Sequence, residues 1–324
     1  MKPFNLDSFG FAGAVVCATL FSAFVCRAQV PQAASTGVEI RTVVPSETDP
    51  AIDQFSGDGW AHVVYRNPAP ARKNQLVVFL AGTNGKGNGA KAFNSTAASE
   101  GFDVVSLAYP STISISTLHA SDDPDAFYKA RENVIYGAAP YETLKVSKAN
   151  CIMNRLIKLL VYLDKKYPNE NWKQYLTPDG QLQWSQCVLA GQSQGGGHAA
   201  LLAIEHKVAR VIMFGSPKDF NVHFNKPAVW YSMPSKTPID RYFSFVHSAD
   251  DHNGCTYPQQ LENYKALGLM PRYAVINVDD TKPPFQHTRL LTSRIPCPMP
   301  HGEPIKNESF APAWKYMLEE AVGP

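Results

Sequence analysis

The stretch Gly191-Gln192-Ser193-Gln194-Gly195 constrains this chain more than any other. A G-x-S-x-G pentapeptide forms a nucleophile elbow only where a strand enters and a helix leaves, because its glycines let the serine take a strained turn with its hydroxyl exposed. Both flanks are present. Residues 187–190, Cys-Val-Leu-Ala, form a buried-type strand run, and residues 198–205 have helix-forming composition. The alternative is a glycine-rich turn that merely contains a serine, and these flanks argue against it.

The same alternation extends to both sides. Strand-like runs at 75–80, 102–109, 208–214, 242–247 and 273–278 are interleaved with helix-like stretches at 90–100, 151–167, 259–267 and 312–322. Crossovers of this length imply a parallel sheet. Two β-rich runs at 38–44 and 61–65 come first and suggest an antiparallel opening. A chain of 324 residues with 44% hydrophobic content can bury one large core. The expectation is an α/β fold, with a mostly parallel central sheet and helices on both faces. Segments 110–148 and 215–238 break the rhythm where they leave the C-terminal edge of the sheet, which makes them candidate lids or pocket walls.

The beginning of the chain differs from the rest. An uncharged apolar run at 11–25 follows Lys2, and Arg27-Ala28 supplies a small residue for cleavage, so residues 1–28 read as a secretory signal. A membrane anchor is the rival, although the run is short for a span. Residues 29–37 read as a flexible leader and 38–324 as one domain, secreted or periplasmic. The formal charge is +2 without a basic run, so neither nucleic acid nor a stable membrane association is expected. Past the signal, Cys151, Cys187, Cys255 and Cys297 remain. Cys187 falls in the strand before Ser193 and reads as a buried thiol, whereas Cys255 and Cys297 lie in loops and are the favoured bridge. No spacing suits a metal site, and no metal, nucleotide or redox cofactor is expected. The glycine-rich loop 82–89 lacks the order of a phosphate-binding loop.

A serine hydroxyl needs a base, and a histidine held by a carboxylate supplies one. The strand at 242–247 ends in Ser248-Ala249-Asp250-Asp251-His252, and His287 follows the strand at 273–278. Ser, then Asp, then His after successive strands is the α/β-hydrolase chain order. The sequence resembles an α/β-hydrolase, most similar to secreted bacterial esterases of the cutinase and lipase type. The motifs that carry the likeness are residues 80–85 (Leu-Ala-Gly-Thr-Asn-Gly), Gly191 to Gly197, the acid loop and His287, and it covers residues 75 to about 322.

The resemblance implies a serine hydrolase that cleaves a carboxylic ester, with Ser193 as nucleophile. The family spacing between a strand-ending histidine and the acid favours Asp251 over Asp250. His287 is favoured as base because it comes soon after the expected last strand; His301 is the alternate. The oxyanion hole is expected from the amide of Gln194 and one among Gly82, Thr83 and Asn84, with Thr83 preferred. Trp230, Tyr231 and Phe220 would suit an acyl or aryl group, or else pack their excursion onto the domain. An amidase, peptidase or polyester depolymerase would share this triad, and a hydrolase fold retained as a non-catalytic binding module is the reading from another class.

Overall fold

The computed structural model describes residues 37–53 and 60–323. The expected signal at 1–28, and the expected leader up to residue 36, lie outside those residues. A nine-stranded sheet crosses the domain in the order β1 (Glu39–Val43), β2 (His62–Arg66), β4 (Asp103–Leu107), β3 (Leu76–Leu80), β5 (Cys187–Gln192), β6 (Arg210–Phe214), β9 (Tyr242–His247), β11 (Leu290–Ser293) and β10 (Val275–Asn277). Strand β2 runs antiparallel to both neighbours, and every pairing from β4 to β10 is parallel. The antiparallel opening and parallel body are those expected from the run spacing. A two-stranded hairpin, β7 (Phe220–Asn221) with β8 (Lys226–Pro227), stands apart from the sheet.

Parallel strands covered on both faces read as continuous apolar runs, which is why β3 is Leu-Val-Val-Phe-Leu with every residue buried. Successive side chains point to opposite faces. Leu76, Val78 and Leu80 therefore pack into one layer, and Val77 and Phe79 into the other. The first layer is roofed by α3 (Ala126–Tyr136), α4 (Ile152–Lys166), α5 (Gln194–Glu205) and α6 (Tyr257–Ala266). The second is roofed by α2 (Lys91–Ser99), α7 (Glu303–Lys306) and α8 (Ala311–Glu319), while α1 (Pro45–Thr48) is a single turn after β1. Helix α4 shows how sequence sets this packing. Ile152, Leu156, Leu159, Leu160 and Leu163 recur at helical spacing, all are buried, and Pro168 lies just beyond the end. Fully burying each leucine contributes about 1.5–3 kcal/mol.

Two elements differ from the sequence expectation. The sheet does not end at 273–278: β10 is only a three-residue edge strand, and β11 follows it and inserts between β9 and β10. With four residues, β11 is too short to show a period. Helix α3 occupies part of the irregular segment 110–148. Its apolar face, Phe127, Ala130 and Val134, is interrupted by buried Arg131 and Asn133, which mask the pattern.

The cysteine expectation is also corrected. All four are unbridged thiols. Cys187 is buried in β5 as expected, but Cys255 points inward, with its Sγ 3.9 Å from Asn263 Nδ2 on α6, whereas Cys297 is partly exposed.

Candidate active site

Ser193 links β5 to α5 at φ 54° and ψ −120°. A non-glycine residue with positive φ costs about 1–3 kcal/mol and persists only where its surroundings enforce it. Here the enforcement is direct. The Ser193 N–H donates to the Phe214 carbonyl at 2.8 Å, and its carbonyl accepts from Gly197 N at 3.2 Å. The flanking glycines are required by contact as well as by the turn. A Cβ on Gly195 would lie 2.0 Å from the Leu80 carbonyl oxygen, and one on Gly191 would lie 2.4 Å from the Gly195 carbonyl. The G-x-S-x-G pattern is thus what lets α5 press onto the ends of β3 and β5.

The loop after β3 abuts this turn. A Cβ placed on Gly82 would stand 3.2 Å from Ser193 Cβ. The next residue, Thr83, donates its hydroxyl to Gln194 Oε1 at 3.0 Å, and the same oxygen accepts from Ile115 N at 3.0 Å. Thr83 and Gln194 are therefore brought together beside Ser193.

On the other side, Asp250 and His301 form a pair. Asp250 Oδ2 lies 2.9 Å from His301 Nδ1, and the carboxylate is fully buried. Its other oxygen accepts from Lys218 Nζ at 2.9 Å and from His252 N at 3.1 Å. Burial alone would raise the Asp250 carboxyl, but the hydrogen bond and charge of His301, with the charge of Lys218, hold it well below the usual carboxylate range. The His301 ring lies where a Gly215 side chain would be, with Nδ1 and Cε1 3.0 Å from that position. Gly215 follows Phe214, whose carbonyl holds Ser193, so the imidazole stands next to the elbow. His252 stacks on it at 4.6 Å, and burial, with the charges of His301 and Lys218, lowers the pKa of His252.

Two favoured residues of the sequence reading are corrected by the sheet. Ser193 follows the C-terminal end of β5, and β5, β6, β9 and β11 are parallel. His287 precedes β11 and so lies at the opposite rim, where its exposed ring contacts Glu320 Oε1 through Nδ1 at 2.8 Å. His301 follows β11 and returns to the rim of Ser193. Asp251 is exposed, whereas Asp250 is turned inward by its N–H bond to the His247 carbonyl at 2.9 Å. The alternates, Asp250 and His301, are the residues that meet.

The aromatic trio is corrected too. Trp230, Tyr231 and Phe220 are buried at 0%, 2% and 4% exposure, which leaves no face for a substrate. Trp230 donates to Asp219 Oδ2 at 2.9 Å, and the Tyr231 hydroxyl accepts from Asp219 N at 3.0 Å. They hold Asp219, which pairs with Arg131 through two bonds of 2.6 Å. Arg131 in turn donates to the Gln194 carbonyl at 3.0 Å and contacts His198 Nδ1 at 3.3 Å.

Sequence reasoning missed Lys218, Asp219 and Arg131. One signal was available: Arg131 falls on the stripe made by Phe127, Ala130 and Val134, where a charge demands a buried partner. Together with Thr83, Ser114, Ile115, Ser116, Ser193 and Gln194, these three residues line a recess of ≈ 20 Å³ beside the serine.

No protein-family model matches the chain, and no curated protein does. Among solved structures it is similar to the crystal structure of TT1662 from Thermus thermophilus, at 15% identity over 87% of this chain and 100% of that one, with a TM-score of 0.44. A likeness of that degree carries no chemistry across. The α/β-hydrolase fold rests on this chain's own sheet and elbow: a mostly parallel sheet with helices on both faces, and a serine on a strained strand-to-helix turn.

Proposed function

We propose that this protein is a serine hydrolase that cleaves a carboxylic ester through an acyl-enzyme. The observation that carries the reading is the convergence on one sheet rim of a strained Ser193 and a buried Asp250–His301 pair. His301 uses Nδ1 toward Asp250, which leaves Nε2 to take the Ser193 proton as Oγ attacks the carbonyl carbon. The oxyanion is held by backbone amides of Gln194 and Thr83, aimed at the charge that develops in the transition state. His301 then protonates the leaving alcohol, and water repeats the sequence on the acyl-enzyme. Asp250 stabilises the imidazolium without itself taking the proton.

Hydrolysis of p-nitrophenyl acetate by the purified protein, abolished in Ser193→Ala, is the expected result. Unchanged turnover in that variant would overturn the assignment. The apolar run at 11–25 supports secretion of the hydrolase, and fractionation of cells that express the full chain tests it.

A further inference from the structure

The recess beside Ser193 bears on which esters the site takes. Ligand pockets commonly enclose about 300–1,000 Å³. This one offers ≈ 20 Å³, little more than the roughly 10–15 Å³ that one water needs. Its lining includes Ser193, Thr83 and Gln194 but not His301. A leaving alcohol departs toward the imidazole that protonates it, and the acyl group is therefore assigned to the recess, whose lining lacks that imidazole.

The walls of the recess are cross-braced. Ile115 is 1% exposed, and its N–H is held by Gln194 Oε1. Arg131 is 2% exposed, bound twice to Asp219 and once to the Gln194 carbonyl. Ser114 and Ser116 bond to each other across their hydroxyls at 2.6 Å. Trp230 and Tyr231 nearby are held on Asp219 by hydrogen bonds. A longer chain would have to break this bracing.

We infer that the acyl side of the site is limited to an acetyl-sized group, which makes the natural substrate the acetyl ester of an alcohol that remains outside the recess. This rests on the serine-hydrolase reading above. In the step concerned, the bond from the acetyl carbonyl carbon to the alcohol oxygen breaks and a bond to Ser193 Oγ forms. The Ser193 proton passes through His301 to the alcohol. Water then releases acetate and restores the serine proton.

The test is a series of acetyl, butyryl, hexanoyl and octanoyl p-nitrophenyl esters with the full protein, run beside labelling by methyl paraoxon. One methylene at a pocket wall changes discrimination by roughly 10–200-fold, so kcat/KM should fall at least about tenfold from acetyl to butyryl. Octanoyl turnover should be negligible. Ile115→Ala should raise the butyryl-to-acetyl ratio by about tenfold or more. A dimethylphosphoryl adduct on Ser193 together with butyryl and hexanoyl esters turned over as well as acetyl would overturn the acetyl limit alone. No adduct and no ester turnover would overturn the hydrolase reading and this inference with it.

Discussion

Thr83 Oγ1 donates to Gln194 Oε1 at 3.0 Å and so ties the loop after β3 to the first residue of α5. These two residues carry the amides assigned to the oxyanion hole, and the bond fixes their spacing from outside the reacting atoms. Thr83→Val removes the donor and keeps the shape. Removing a direct oxyanion donor costs about 10²–10³ in kcat. Loss of a tether should cost less, about tenfold in kcat with KM little changed, and Thr83→Ser should restore most of it. Steady-state kinetics on p-nitrophenyl acetate check this, and a loss confined to KM would count against the role.

The acid and base are separable by paired substitutions. Asp250→Asn should lower kcat by about 10⁴, the scale on which losing the orienting carboxylate acts in a serine triad. Asp251→Asn should stay within about twofold of wild type, since exposed side chains away from a site rarely matter. His301→Ala should be inactive, and His287→Ala should retain activity. Activity surviving in His301→Ala but lost in His287→Ala would reverse the assignment.

Arg131 and Asp219 form a buried ion pair. Removing one partner of such a pair costs about 3–5 kcal/mol. Asp219→Asn and Arg131→Met should therefore each lower the urea midpoint sharply, and the double variant should be less destabilised than the sum. Strict additivity would show that the two do not act as a pair.

Two buried imidazoles contribute to the acid sensitivity of the fold. Burial and the charge of Arg155 hold His62 down to about 3, and burial with the charge of Arg131 holds His198 well below its ordinary value. Both stay neutral when folded, whereas in the unfolded chain they protonate below pH about 6.5. The unfolded state thus binds more protons in that window, and stability falls as pH drops through it. Each contributes a loss of about 1.4 kcal/mol per pH unit. Asp250, whose carboxyl is held low, adds its own loss only below about pH 3.9. Urea titrations at pH 7.5, 6 and 5 should show decreasing stability, and a flat profile would contradict the account.

Trp230 offers a check on the sealed aromatics. Trp230→Phe removes the donor to Asp219 and should destabilise the protein by about 1–3 kcal/mol. It should leave the ranking of acyl chain lengths unchanged. A shift in that ranking would return Trp230 to the substrate pocket.

The elbow at Ser193 was legible because its signature is local: a few residues dictate the strand, the strained turn and the helix around it. The sheet body was legible for the same reason, since β3 and β5 are continuous apolar runs. The base was not. Its identity depends on which rim of the sheet a loop occupies, and that depends on recognising β11, four residues whose only support is pairing with strands remote in sequence. Asp250 and Asp251 differ by one residue and by a turn closed by the Asp250 N–H bond to the His247 carbonyl. Composition says nothing about either. Arg131 was hidden because a buried charge looks like surface until its partner, Asp219, is placed beside it.

The position of β11 between β9 and β10 has a consequence for synthesis. A chain that emerges from its N-terminus can complete the elbow around Ser193 once β6 has been made. It must then lay down β9 and the β10 segment before β11 can take the place between them, and only after β11 does His301 exist to meet Asp250. Under the proposed assignment, a nascent or prematurely ended chain would carry the elbow serine without its base, and hydrolysis would wait until nearly all of the chain had been translated and the late strand had been threaded home.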